Sequence, residues 1–167
     1  LFEMACDKGD MKTCVDLGQT WSKKFDSPEG FEKMQIFWGK ACDSGMIDIC
    51  EKFADMIVFR KPREERVPLS QKYYEKACEG KSAEACYKLA RAIVDNLENS
   101  EFKARPFYEK GCEFNHAESC YYIGVYLSEA YGETLELDKL KEMFSFYDKS
   151  CKNGFEPSCS SSSSLKA

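Results

Sequence analysis

The sequence predicts an all-α protein, a right-handed αα-solenoid of short helical repeats stapled by disulfides. Three observations predict it. The ten cysteines fall into five pairs with one spacing, C-x7-C: Cys6/Cys14, Cys42/Cys50, Cys78/Cys86, Cys112/Cys120 and Cys151/Cys159. The first cysteines recur at a near-constant period, which is the mark of an internal repeat. After each second cysteine an apolar register appears at +3, +4 and +7, one face of an α-helix. Strand signals are absent.

The first helix of each repeat, helix A, starts near the second cysteine of a pair. Its +3 and +4 places hold Leu17-Gly18, Phe53-Ala54, Leu89-Ala90 and Ile123-Gly124. Its +7 place holds Trp21, Ile57, Ile93 and Leu127. One example is predicted to run from Ala83 to about Leu97. Helix B ends near the next first cysteine and carries a bulky pair: Phe37-Trp38, Tyr73-Tyr74, Phe107-Tyr108 or Phe146-Tyr147. One example is predicted from about Leu69 to Cys78. The small residue at +4 lets a neighbouring helix approach closely, and the bulky pair fills the space opposite. Polar segments separate A from B: 24–30, 61–66, 96–100 and 132–134. Pro106 falls inside a B helix, so that helix is expected to begin near Ala104.

The array is expected to span 1–159, as about four units with terminal part-repeats, followed by a Ser-rich tail at 160–167. Residue 1 falls inside a B helix and is not methionine. The chain therefore reads as a piece of a longer protein, and the identity of any earlier segment is not legible.

The pattern resembles cysteine-rich Sel1-like repeats, relatives of the tetratricopeptide class. The residues that carry the resemblance are the corners Ala5-Cys6-Asp7, Ala41-Cys42-Asp43 and Ala77-Cys78-Glu79, the C-x7-C spacing and the helix-A register. The glycine-rich turn usual between helices A and B is missing, with Gly132 as a remnant. Members of this class include secreted bacterial proteins, some described as penicillin-binding β-lactamases, and a mitochondrial intermembrane-space assembly factor. The resemblance implies a protein-interaction scaffold, adaptor, assembly factor or structural subunit. Two alternatives stand beside it: a β-lactam-binding, β-lactamase-like enzyme, and a redox- or haem-linked respiratory assembly factor.

For the cysteines, the favoured reading is a disulfide within each pair. The spacing links the end of one helix to the start of the next, and a tight corner brings Cα atoms within the ~4.4–6.8 Å a bridge needs. Ten buried thiols acting as small hydrophobes are the plain alternative. Zinc sites favour closer spacings, and no C-x-x-C is present for thioredoxin-like chemistry. Disulfides at this density imply an oxidising compartment: the bacterial periplasm, the secreted space or the mitochondrial intermembrane space.

The formal net charge of -5 provides no basic face for nucleic acid. No apolar run approaches the ~18 residues that cross a membrane. The chain has a single histidine, His116, read as an exposed corner residue without a partner. No catalytic residue, metal site or cofactor is expected. Two S-x-x-K matches, Ser100–Lys103 and Ser163–Lys166, are what the enzyme alternative would use.

Arrays of this kind line a concave surface with their A helices. Taking the second cysteine as zero and advancing about 100° per residue puts +2, +5 and +9 opposite the packed face, near 140–200°. The candidate partner-binding groove is therefore Asp16, Gln19, Lys52, Asp55, Phe59, Lys88, Arg91, Tyr122 and Val125. The +9 places also hold Lys23, Asp95 and Glu129. These columns vary between units while the packed columns stay apolar. The expected partner is a protein, and the chain is expected to take its place in a multi-subunit complex.

Overall fold

A computed structural model describes residues 1–60, 63–95, 101–134 and 136–163. Among the described residues there are ten α-helices and no strand. The chain divides into two compact units, Leu1–Gly80 and Lys81–Ala167.

The first unit holds α1 (Phe2–Asp7), α2 (Met11–Ser22), α3 (Pro28–Asp43), α4 (Ile47–Arg60) and α5 (Arg63–Glu79). Here α2 and α4 are A helices, and α1, α3 and α5 are B helices. Helices begin where a side chain can cap the backbone. Asp10 accepts the Thr13 N–H at the start of α2. Ser27 accepts the Gly30 N–H ahead of α3, where Pro28 sits at the first helical position, whose N–H needs no partner. The core lies between successive helices: Trp38, Phe53, Ala54 and Ile57 are all fully buried. A Cβ placed on Gly18 would lie 2.0 Å from the Trp38 ring, so only glycine lets α2 and α3 approach this closely. The indole N–H of Trp38 donates to the Val15 carbonyl at 3.1 Å.

The second unit repeats the plan with α6 (Ala83–Val94), α7 (Glu101–Glu113), α8 (Ala117–Thr134), α9 (Leu137–Lys152) and α10 (Pro157–Ser163). Leu89, Ala90, Tyr108 and Ile123 are buried. Gly124 meets Tyr147 as Gly18 meets Trp38, with a hypothetical Cβ 2.6 Å from the ring.

Each B–A corner has the same backbone. The third residue after the first cysteine takes a left-handed conformation: Gly9, Gly45, Lys81, Asn115 and Gly154, with φ from 68 to 100°. At four corners the next N–H reaches back to the residue before the cysteine: Asp10 to Ala5, Met46 to Ala41, His116 to Gly111 and Phe155 to Ser150. This 6→1 bond is a Schellman cap, and it turns the chain sharply enough to bring the paired cysteines together. Cys6–Cys14, Cys42–Cys50, Cys112–Cys120 and Cys151–Cys159 are disulfides with Cα–Cα distances of 4.7–4.9 Å. Cys78 and Cys86 are disulfide-bonded as well, and no cysteine is free.

Helix limits depart from expectation in four places; in the first, α3 begins at Pro28, so 28–30 of the segment read as a turn is helical. Helix α7 begins at Glu101 rather than Ala104, with Pro106 inside it. The carbonyl that Pro106 leaves without an N–H partner is that of Phe102, in the exposed first turn, where water can serve it. Pro68 occupies the same sixth position of α5, which starts at Arg63 rather than near Leu69. Part of the segment read as a turn, 63–66, is therefore helical. So is 132–134, the last turn of α8, because a helical glycine weakens a helix without ending it. Leu97 and the segment 96–100 lie outside the described residues, as do Lys61 and Pro62. Helix α10 runs past Cys159 to Ser163, and 164–167 lie outside the described residues.

Candidate functional site

The recurring columns and the variable columns of the A helices meet different surroundings. At +3, +4 and +7 the side chains are buried in α4, α6 and α8. The +2, +5 and +9 places hold residues that are exposed or half-exposed, and most are tied to polar partners.

In the first unit, Asp16 and Gln19 are exposed on α2. Lys52 on α4 extends its ammonium to the Gln19 side-chain oxygen at 2.5 Å and lies 5.2 Å from the Trp38 ring centre. Asp55 accepts the Tyr74 hydroxyl at 2.7 Å. Phe59 is 84% exposed near the end of α4. The +5 residue of one A helix thus reaches the +2 residue of the next.

The second unit uses the same link with different chemistry. Arg91 at +5 of α6 donates to the hydroxyl of Tyr122 at +2 of α8, at 2.9 Å. The guanidinium also lies 5.7 Å from the Tyr122 ring centre, a cation–π contact. Asp95 stands 3.7 Å from Arg91, and Glu84 stands 3.6 Å from Lys88. Val125, at +5 of α8, is half-buried. The structure brings Gln19 and Lys52 together in one unit and Arg91 and Tyr122 in the other.

Sequence reasoning missed a tyrosine cluster. Tyr108 stacks on Tyr122 with ring centres 4.8 Å apart, and Tyr126 and Tyr87 lie at 6.0 and 6.1 Å from Tyr108. Burial, with Glu118 nearby, pushes the Tyr87 hydroxyl up to about 12. Burial raises Tyr108 further in the same direction. The Tyr108 hydroxyl is buried without a hydrogen-bond partner. One signal for the cluster was available: Tyr108 is the second member of a bulky pair, and Tyr122 stands at +2 of the next helix.

His116 also departs from expectation. It is not an exposed, unattached histidine: its side chain is 14% exposed, and its ring stacks on Tyr87 at 4.5 Å. Its Nδ1 accepts the Ser119 N–H at 3.2 Å, and its Nε2 lies 3.1 Å from Glu84. His116 therefore caps α8 from the place that Asp10 holds in α2 and Ser82 in α6. Ser119 Oγ also lies 3.2 Å from Nδ1, so serine, histidine and carboxylate are in line. A hydrolytic triad needs a reachable serine whose proton the imidazole can take. Here Ser119 is fully buried and Nδ1 is already occupied by a backbone N–H, so the arrangement acts as a helix cap.

Of the two S-x-x-K matches, Ser100, the Ser163 side chain and Lys166 lie outside the described residues. Among the described residues no group of three or more His, Cys, Asp or Glu could hold a metal ion. No helix among them is long and apolar enough to cross a membrane.

Two solved structures share the fold. A Sel1 repeat protein from Oxalobacter formigenes matches with a TM-score of 0.61 and 15% identity, over 94% of this chain and 64% of its own. The protective antigen c5321 of uropathogenic Escherichia coli, described as displaying an SLR fold, matches with a TM-score of 0.61 and 17% identity, over 98% of this chain and 35% of its own. This chain thus spans less than two thirds of either protein. No family model and no curated protein matches. The fold is that of Sel1-like helical repeats, rich in disulfides.

Proposed function

We propose that this Sel1-type array is a protein-interaction scaffold, acting as an adaptor, assembly factor or structural subunit in an oxidising compartment. The partner surface is the variable face of the A helices: Asp16, Gln19, Lys52, Asp55 and Phe59 in the first unit, and Lys88, Arg91, Tyr122 and Val125 in the second. One observation carries this reading. The packed columns repeat one apolar chemistry, whereas the opposite columns carry a different polar or aromatic set in each unit. A scaffold that needed only stability would gain nothing from that variety, and a repeat array offers its partners an extended surface of this kind. Half-exposed tyrosine and arginine are favoured interface anchors. The oxidised cysteines support an oxidising compartment, and the periplasm, the secreted space and the mitochondrial intermembrane space all satisfy that condition. A binding module accounts for these features without a reaction centre.

Site-specific photo-crosslinking in the native host tests the reading. A photoreactive residue at Gln19, Phe59 or Val125 is expected to give one shared protein adduct. The same residue at Lys72 or Lys110, on B helices, is expected to give none. Adducts from the B-helix positions alone would place the partner elsewhere.

A further inference from the structure

The five bridges share one backbone corner but not one environment. The cysteines from Cys6 to Cys120 are each at most 4% exposed, whereas Cys151 and Cys159 are both half-buried. The Cys6–Cys14 bridge lies in the first hairpin and is sealed all the same, so packing against one neighbouring hairpin does not by itself uncover a bridge. The helix that Cys159 anchors is also the weakest A helix. Helix α10 has seven residues, five of them serine, which is a poor helix former, and helices this short do not stand alone in water. Among its described side chains only Ser158 is fully buried, and its hydroxyl donates to Ser150 Oγ at 2.8 Å. Helix α6, by contrast, buries Ala85, Cys86, Leu89, Ala90 and Ile93. The charge beside the bridge differs as well. Acids follow the other first cysteines, at Asp7, Asp43, Glu79 and Glu113, but Lys152 follows Cys151. Lys149 and Lys152 both stand in the last turn of α9, where Lys152 also pairs with Asp148 at 2.5 Å.

We infer that Cys151–Cys159 is a thiol–disulfide exchange site, opened by a dithiol reductant while the other four bridges stay closed. Exchange requires a thiolate to reach a disulfide sulfur, so access governs its rate, and exposed bridges are the labile ones. A thiolate of the reductant attacks Cys159 Sγ. The bond between the two Sγ atoms breaks, a mixed disulfide forms on Cys159, and Cys151 leaves as a thiolate, a form that the neighbouring lysines favour. The second thiolate of the reductant then attacks its own sulfur in the mixed disulfide, and Cys159 leaves. The dithiol is oxidised to a disulfide, the bridge takes up two electrons, and two protons pass from the reductant to the two cysteines. Opening the bridge frees α10, whose short serine-rich sequence does not hold a helix unaided, and the chain entropy regained favours the reduced form. The four buried bridges then act as structural staples and the fifth as a reversible latch on α10.

The test exposes the intact, folded chain to dithiothreitol at neutral pH for a series of times. Freed thiols are blocked with N-ethylmaleimide and located by peptide mass spectrometry. Cys151 and Cys159 are expected to be labelled together, at least about tenfold faster than any other cysteine. Hydrogen exchange on the chain opened at this bridge is expected to rise across α10 and to stay unchanged from α2 to α8. The double variant Cys151→Ser/Cys159→Ser is expected to lose the fast step, keep the slow ones and melt within a few degrees of the parent. Three results would each overturn the proposal: labelling of another pair as early as this one, opening of all five bridges in a single step, or unchanged exchange across α10 once Cys151 and Cys159 are labelled.

Discussion

Tyr87 shows how a single side chain registers its place in the repeat. Its phenol is held up to about 12 by burial first and by Glu118 second, so the folded chain favours the neutral form more than the unfolded chain does. An unfolded tyrosine loses its proton near pH 10. The contribution of Tyr87 is therefore complete below pH 10 and is lost as pH rises from there through about 12. Urea titrations at successive pH values are expected to show a flat stability up to pH 10 and a fall above it. Tyr87→Phe should make that fall shallower, and an unchanged slope would contradict the assignment. Tyr73, Tyr108 and Tyr147 are raised in the same direction, so some decline is expected to persist. Lys81 and Asn115 make a second point at this scale. Both hold left-handed backbone that glycine fills at the other corners. Neither identity announces a corner, and only the count from the preceding cysteine reveals it.

Between elements, the decisive feature is the small residue at +4 of helix A facing the second bulky residue of helix B. Gly18→Ala would drive a Cβ into the Trp38 ring, and overpacking of this kind costs about 1–3 kcal/mol. Gly132, in the exposed last turn of α8, leaves open space: a methyl group placed on its Cα would meet nothing within 4 Å. Gly132→Ala is expected to stabilise by about 0.5–1 kcal/mol through helix propensity alone. Chemical denaturation of the two variants should give changes of opposite sign. This pairing was legible in the sequence because it recurs at a fixed register. Helix starts were less so: α5 and α7 each tolerate a proline at the sixth position, and proline alone does not say whether the carbonyl it orphans is exposed. The exposure of the +2 and +5 columns was also legible, since helical geometry places them opposite the packed face. Their partners were not. Arg91 and Tyr122 are 31 residues apart, as are many pairs that never touch. His116 looked unattached because Glu84 and Tyr87 belong to the preceding A helix.

For the molecule as a whole, each repeat contacts only its neighbours, so no central core compensates for a weak unit. The bridges offset that weakness by limiting the unfolded chain. Closing a loop of C-x7-C size contributes about 2–3 kcal/mol in the chain-entropy model. Full reduction is expected to lower the melting temperature by tens of degrees, measured by circular dichroism with and without reductant. A shift of only a few degrees would show that helix packing holds the array unaided. What the bridges preserve is a frame on which the A-helix face can vary. The most direct measurement of that claim is affinity purification from the native host with the parent chain and with a Lys88→Glu/Tyr122→Glu double variant. The account predicts that the double variant melts within a few degrees of the parent and loses the parent's principal partner. An unchanged set of captured proteins from an equally stable variant would contradict it.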